Sequence, residues 1–518
     1  MKGRPQLLVA VGLASLLYLM GLVHFANLRA IDDDEGGYAT AARLVWEGET
    51  PYREFFYQQA PLIPYAYSWV WRLHPQSLIA MRHLSAAFGG MAVALWGVCL
   101  LFAKRLPRTI ALATFATVLL NPYWIAWNSV VKTSALANLL MSIAMVCLYA
   151  AVQSDRRRWY VLGGLALGLC ASARALYGPV VPLMMAWLAY QEWRASRSGY
   201  PKTVACAAGT ACGLLPMLLT FAYAPRAFIF DNIQYHHLDA GYHLEQGKAV
   251  VGYPGFGGTI LSYFSDIVVR LVILHPYFFA LLALSIVGGR SFRKLRKTQG
   301  EPYTRQDHLY AQLVLVMLTT YVAAALIPFP PFDQYFDAPL VPLLVPFVAE
   351  GLRISLRWKK WQVLVLAVLA SALVLAEVRR DAGFYLTRGE WSLGSYQQVT
   401  EAIEANSSPG DLVLSFSPGY VFESGRHYLP GLTNDFVFHI LNRITLEERS
   451  QYQVVSKEEI VQSIAARAPQ VIVTGRRRCM NEFYADLSPE EVQAFRAAVD
   501  SNYSLVSKVD AVEVYRRH

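Results

Sequence analysis

Four carboxylates in a row, Asp32, Asp33, Asp34 and Glu35, follow directly on the first apolar stretch of the chain. Ionised side chains beside a hydrocarbon boundary are costly unless water, partners or a substrate take them up, which marks such a tract for function. A carboxylate at a water–membrane edge can take a proton from a hydroxyl as a general base, or ligate a cation. The plain alternative is helix capping, since Asp is a favoured N-cap and acids suit the positive end of a helix dipole. One cap and one dipole partner account for two carboxylates, and the tract has four.

The elements that must position this tract are membrane helices. Of the 518 residues 55% are hydrophobic and only 16% charged, with mean hydropathy +0.31, well under the charged share of about 25% usual in soluble domains. The apolar residues come in blocks long enough to cross a hydrocarbon core. Hydropathy gives about eleven spans, near 6–27, 78–102, 108–121, 131–152, 159–175, 177–191, 203–224, 265–288, 308–327, 337–352 and 361–377. The third, fifth and sixth are short, as half-spans or tilted helices are. The sequence is thus expected to encode an α-helical polytopic membrane protein. Its first span reads as uncleaved, because no small-residue cleavage site precedes Asp32.

The net charge of +9 gathers in basic clusters between alternate spans, at Lys104-Arg105, Arg156-Arg157-Arg158, Arg293-Lys294 and Lys359-Lys360 among others. That is the positive-inside pattern, which puts the N-terminus in the cytoplasm and, with an odd number of spans, the C-terminal region outside. The basic clusters are therefore topology signals, and nucleic acid is excluded as a partner because no basic groove with interleaved aromatics appears. Of six cysteines only Cys479 lies in the outer region, so no disulfide framework exists there. Neither metal-type Cys/His spacing nor a phosphate-cradling Gly loop is present; Gly163, Gly164 and Gly168 read as helix packing.

Residues 1–377 form the expected transmembrane module. Within it, a first outer loop at 28–77 holds two amphipathic helices, GGYATAARLVWEG, stopped by Gly48 and Pro51, and the Tyr- and Trp-rich LIPYAYSWVWRL. A long outer loop at 225–264 carries FDNIQYHHLDAGYHLEQGK, and a short one carries Asp333-Gln334-Tyr335. Residues 378–518 change character to an α/β pattern: helix-like YQQVTEAIEAN, strand DLVLSF, helix KEEIVQSIAARA, strand QVIVTG, helix SPEEVQAFRAAV and a final strand or two in SLVSKVDAVEVYRR. This segment is expected to be a small extracytoplasmic α/β domain.

The segment DEGGYATAARLVWEGETPYREFFYQQAPLIPY resembles the first outer loop of the GT-C glycosyltransferases, in the branch of the protein O-mannosyltransferases and the lipid A aminoarabinose transferases. The residues that carry the resemblance are Asp34-Glu35, Tyr38, Gly48, Pro51-Tyr52 and Tyr57-Gln58-Gln59-Ala60-Pro61. At motif level it covers about forty residues, and the topology extends it loosely over the whole chain. It implies a polyprenyl-phosphate sugar as donor, a hydroxyl-bearing envelope acceptor, membrane lipid as surroundings, and inversion at the anomeric carbon. By the same resemblance Asp34 is the candidate base, with Glu35 and Asp33 beside it.

The leaving phosphate needs cations. Arg174, after the Gly-rich GLALGLCASA, occupies the place of the relatives' phosphate-binding Lys or Arg; otherwise it is an arginine snorkelling from a helix end. Lys132 is a second cation, standing where many relatives carry an acid. His236 and His237 could donate to phosphate or sugar, against the simpler reading of polar surface. Tyr38, Tyr57, Gln58, Gln59, Gln334 and Tyr335 are the expected cavity wall; a tight turn at 333–335 and membrane-interface anchoring of Tyr57 are the alternatives. The relatives hold an acid and a Lys where Gln58 and Gln59 stand. A divalent metal is therefore not favoured, and no cofactor is expected. The rival functional classes are a transporter or lipid flippase, which should show two related halves with charges at the midplane, and an envelope scaffold that keeps the fold without the chemistry.

Overall fold

A computed structural model describes residues 4–103, 106–195, 199–245, 305–327, 335–355 and 389–518, without Asp337 and Arg476 and with a few isolated positions between these stretches. The chain enters with α1 (Arg4–Leu28). Two shorter helices follow, α2 (Glu35–Glu47) and α3 (Leu62–Leu73). Next come α4 (Leu78–Phe102), α5 (Arg108–Leu119), α6 (Pro122–Trp127), α7 (Thr133–Ser154), α8 (Arg157–Ala173), α9 (Val180–Arg194), α10 (Pro201–Gly213) and α11 (Leu215–Tyr223). The long loop opens with α12 (Pro225–Ile229), a π-turn at Phe230–Gln234 and α13 (Tyr235–Glu245). The helices α14 (Arg305–Ala325) and α15 (Val341–Ser355) complete the described part of this module.

Four of these helices, α1, α4, α7 and α14, are long and apolar enough to cross a membrane, and α10 with α11 makes a fifth if that pair, bent by 51°, is one span. The bend falls where Pro216 cannot donate to the ladder. The expected short spans are short helices of 12, 17 and 15 residues at α5, α8 and α9. Of the spans expected at 265–288 and 361–377 only a few positions, 280, 282–286, 372 and 375, are among the described residues. The two amphipathic helices form where the sequence pattern puts them, and Gly48 ends α2 in the left-handed conformation, φ 100°.

Close packing fixes α8. A Cβ on Gly164 would stand 2.1 Å from the Cys206 carbonyl oxygen, and one on Gly213 would stand 2.3 Å from that of Leu165. Helices in a bilayer gain little from burying apolar surface, so small residues that let backbones touch supply the association. This contact sets the height at which α8 ends, and so where Arg174 begins.

The C-terminal stretch builds a five-stranded sheet of order β2-β1-β3-β5-β4, from β1 (Leu412–Ser415), β2 (His427–Tyr428), β3 (Val471–Val473), β4 (Tyr503–Val509) and β5 (Val512–Arg517). β1 runs parallel to β2 and β3, while β5 is antiparallel to β3 and β4. In the pair β1 and β3, Val413, Leu414 and Val471–Val473 are all apolar because the pair is covered on both faces. The flanking helices α16 (Leu393–Ala405), α17 (Gly419–Ser424), α18 (Leu446–Tyr452), α19 (Lys457–Ala465), α20 (Arg477–Ala485) and α21 (Pro489–Asn502) include three with reciprocal Ser/Thr–Glu capping boxes at α18, α19 and α21.

This α/β layer lies against the first outer loop. A Cβ on Gly36 would meet the Gly419 Cα at 2.9 Å, and one on Gly37 would meet the Asn434 amide at 3.2 Å. The Ile31 N–H donates to the Trp391 carbonyl at 2.7 Å, and the Leu78 N–H donates to Glu423 at 2.9 Å. The Gly-Gly pair after the acidic tract is what allows backbone to approach backbone here.

Candidate active site

The acidic tract divides its carboxylates among different tasks. Glu35 is wholly enclosed. Its carboxylate takes two hydrogen bonds of 2.6 Å from the Arg82 guanidinium, one of 3.0 Å from the Val131 N–H and one of 3.1 Å from the Asp32 N–H. Arg82, equally enclosed, also donates to the carbonyls of Ala26, Arg29 and Ala30, closing the C-terminal end of α1. Every strong acceptor site of Glu35 is in use, so Glu35 serves the framework of the loop rather than standing as a second acid beside Asp34.

Asp34 occupies the N-cap position of α2, yet its side chain makes no capping hydrogen bond. The turn is closed instead by Asp32, whose Oδ1 accepts from the Asp34 N–H at 3.2 Å. The Asp34 carboxylate is left to pair with Lys132 Nζ at 2.8 Å, and the same ammonium holds Asp32 at 2.9 Å. Arg29 adds a longer contact to Asp32 of 3.8 Å. Lys132 is placed by extended backbone just before α7, and its ammonium sits 4.7 Å from the centre of the Trp127 ring.

One cation between two carboxylates drives their acidities apart. Burial opposes the charged form of both. For Asp32 the Lys132 and Arg29 charges overcome it and hold the carboxyl down at about 2. For Asp34 burial wins, reinforced by the charges of Asp32 and Asp33 and opposed by Lys132, so its affinity for a proton is raised. Asp34 is also the more open of the two, 21% against 13% side-chain exposure. An open carboxylate of raised basicity beside a permanently ionised one is the arrangement a general base needs. Asp33 is half-buried on the same turn.

Arg174 begins where α8 stops. It is buried, donates to Ser134 at 3.0 Å and to Thr133 at 3.5 Å, and lies 5.5 Å from the Tyr335 ring centre. No carboxylate among the described residues pairs with it, which leaves its positive charge available to an anion. Tyr38 lies within electrostatic reach of both Asp34 and Arg174, and Tyr335 within reach of Arg174, Asp34 and Lys132. The structure therefore brings Asp34, Lys132, Tyr38, Arg174 and Tyr335 into one cluster, drawn from α2, the start of α7, the end of α8 and the loop before α15. Lys132 enters it as the partner of two carboxylates and so has less charge to offer a phosphate than Arg174.

The remaining expected residues are struts around this cluster. Tyr57 is buried, donates its N–H to Asp231 at 2.9 Å and meets the Tyr38 ring edge-on, with centres 6.4 Å apart. The Gln58 side-chain oxygen accepts from Asn434 at 2.7 Å, and its carbonyl meets His236 Nε2 at 3.0 Å. Burial lowers the proton affinity of His236, first among its causes, so its imidazole is a neutral donor to backbone rather than a cation for phosphate. His237 is exposed on α13. Gln59 is half-buried, and its carbonyl accepts from the Tyr52 hydroxyl at 2.6 Å. Gln334 lies outside the described residues. With its oxygen bonded to Asn434, Gln58 offers no carboxylate to a cation, and among the described residues no group of three or more His, Cys, Asp or Glu side chains could hold a metal ion.

The pattern reading missed Arg82, Arg29, Asp231 and Asn434. Arg82 did carry a signal, as an ionised residue inside the apolar block 78–102. Asn434 carried none, since it reaches the loop from far along the chain.

Comparison with known proteins bears on the fold. The chain matches the crystal structure of ArnT from Cupriavidus metallidurans in the apo state, with TM-score 0.59 and 13% identity over 99% of this chain and 97% of that one. It also matches ArnT from the same organism bound to undecaprenyl phosphate, with TM-score 0.61 and 14% identity over 98% and 97%. The fold is thus that of the GT-C glycosyltransferases, as the first outer loop implied, and the chain is a multi-pass membrane protein. Residues 58–219 match the family model described as dolichyl-phosphate-mannose-protein mannosyltransferase. No curated protein matches the chain.

Proposed function

We propose that the protein is an inverting membrane glycosyltransferase that moves a sugar from a polyprenyl-phosphate donor to a hydroxyl of a cell-envelope acceptor. The observation that carries this is the divided carboxylate pair on Lys132, with its open, more basic member Asp34 sharing Tyr38 with a buried Arg174 that has no carboxylate partner among the described residues. ArnT, whose fold this chain shares, binds undecaprenyl phosphate, which supports a donor of that class.

In this reading the acceptor oxygen attacks the anomeric carbon while its proton passes to Asp34. The bond from that carbon to the phosphate oxygen breaks, and the lipid phosphate departs as an anion toward Arg174. Charge develops on the phosphate as the bond breaks, so a fixed guanidinium stabilises the transition state more than the ground state. A single base and a single displacement invert the centre. Asp32 stays ionised and keeps Lys132 in place. The reading carries with it the inner membrane as location, the cytoplasmic N-terminus, about eleven spans, and residues 378–518 as an extracytoplasmic domain.

The test is transfer in proteoliposomes, with undecaprenyl-phosphate sugars as donors and envelope extract as acceptor. Asp34→Asn should abolish transfer that the wild type performs. Wild-type rates in that variant would refute the assignment of the base, and a wild type inert with every donor would favour the scaffold reading.

A further inference from the structure

Lys132 is built firmly into its place. The residue before it, Val131, gives its N–H to the enclosed Glu35 carboxylate at 3.0 Å, so the backbone that launches the lysine is tied to the Glu35–Arg82 framework. Extended backbone at Lys132, φ −149° and ψ 164°, precedes α7, and only 9% of the side chain is exposed. An ammonium has three N–H donors. One is within 2.9 Å of Asp32 Oδ1, one within 2.8 Å of Asp34 Oδ2, and the group lies 4.7 Å from the centre of the Trp127 ring. A lysine held in this way is not a mobile surface charge.

Its two carboxylates are not equal partners. Asp32 is secured by Lys132, by Arg29 at 3.8 Å, and through Oδ1 by the Asp34 N–H at 3.2 Å. Asp34 meets Lys132 directly. The other groups around Asp34 are Asp33 on its own turn, Tyr38 from α2, Tyr235 from α13 and Tyr335 from the loop before α15, with Arg174 reached through Tyr38. Glu35, next in the chain, is neutralised by Arg82. When Asp34 takes a proton, its attraction for Lys132 is lost. Were Asp34 the sole partner, that step would strand a buried ammonium, which is strongly unfavourable. Asp32 removes the penalty, because it stays ionised and keeps the ammonium paired whichever form Asp34 is in.

We propose that Lys132 is a positioning residue for the base, with Asp32 as its anchor: the ammonium orients the Asp34 carboxylate and favours its charged, proton-accepting form, while Asp32 keeps the ammonium compensated once the proton has moved. This rests on the reading of Asp34 as the base. In the transfer step a lone pair of the acceptor oxygen forms the bond to the anomeric carbon, the hydroxyl proton passes to Asp34, and the phosphate leaves with the electrons of the broken bond. Lys132 gives up no proton and forms no bond to substrate. The sign of its influence follows from its place. Burial pushes the Asp34 carboxyl up, Lys132 pulls it down, and the charges of Asp32 and Asp33 push it up again. Loss of the lysine therefore moves the onset of transfer to higher pH. Loss of the Asp32 charge moves it to lower pH and leaves a weaker base.

The test uses the full chain in lipid nanodiscs and two readouts. One is the pH dependence of kcat/KM for transfer from undecaprenyl-phosphate sugars, whose acid limb reports the base of the free enzyme. The other is an infrared titration of the carboxyl band that Asp34→Asn removes. Lys132→Met should raise the acid limb and the infrared midpoint by at least about one pH unit. Asp32→Asn should lower both, and Lys132→Arg, which keeps the charge, should leave both where the wild type has them. A merely structural lysine would cut the rate by one factor at every pH. That result, an unmoved midpoint in Lys132→Met, or shifts of Lys132→Met and Asp32→Asn in the same direction would overturn the proposal. If Lys132→Met does not fold, Asp32→Asn decides alone by the direction of its shift. If Asp34→Asn retains transfer, the base is misassigned, and the infrared midpoints still show whether Lys132 governs the charge of Asp34.

Discussion

Two buried charge clusters flank the seam between the membrane module and the α/β layer, and both set one cation between two carboxylates. In the first, Lys132 joins Asp32 and Asp34. In the second, His439 lies between Asp239 at 2.5 Å and Glu482 at 3.5 Å, its ring stacked on Tyr242 with centres 4.5 Å apart. They differ in where the electrostatic tension falls. At Lys132 it falls on Asp34, a carboxylate with a fifth of its side chain open. At His439 it falls on an imidazole only 1% exposed. Burial disfavours that charge, but the hydrogen bonds and charges of Asp239 and Glu482 overcome it and raise the group to about 9. Equal stoichiometry thus yields a more open carboxylate of raised basicity in one place and a clasp between α13 and the α/β layer in the other, and the deciding variable is which member of the trio stays accessible.

This comparison can be broken most severely at the framework of the first cluster. Arg82→Met leaves Glu35 buried without its counter-charge and frees the carbonyls of Ala26, Arg29 and Ala30 at and just past the end of α1; it should destabilise the protein by about 3–5 kcal/mol, read as a collapse of the unfolding temperature in detergent. A loss below about 1 kcal/mol would show that Glu35 is not held by this pair. Asp34→Asn should leave unfolding unchanged, since it also removes a like charge beside Asp32, while lowering transfer on the order of a thousandfold. If both stability and transfer fell together, the open carboxylate would be as structural as Glu35.

The clasp should respond to pH. A group raised from 6.5 to about 9 contributes its full stability below pH 6.5 and loses it as pH rises through 9, an effect of about 3 kcal/mol. Unfolding followed from pH 6 to 10 should show that decline, and His439→Gln should flatten it. A wild-type profile flat over this interval would deny the clasp its charge. The smallest effect belongs to Asn434→Ala, which unpairs the buried Gln58 oxygen. It should cost about 1–2 kcal/mol and reduce transfer through a less ordered Tyr57–Pro61 element; no change in either would make Gln58 a bystander.

Much of the fold was legible because its signals are local. Hydropathy placed α1, α4 and α7, an amphipathic helical pattern placed α2 and α3, and the α/β pattern of the tail reappears as β1, β3 and the β4–β5 hairpin. The short strand β2 escaped because two residues carry no periodicity. The packing role of Gly164 and Gly168 was also legible, since close helix contact needs small residues wherever the partner lies. In the site, residue type and position drew attention to Asp34 and Arg174, while nothing in the neighbours of His236 showed that its ring would meet the Gln58 carbonyl.

By itself, then, the sequence determined a multi-pass membrane protein with an acidic tract at the end of its first span, since hydrophobic spacing and local composition suffice for that. Only the tertiary structure decided how the carboxylates are shared out among their cations. Glu35 is claimed by an arginine 47 residues away, Asp32 shares a lysine 100 residues away, and pairings over such distances depend on how helices pack, a quantity that no local pattern encodes.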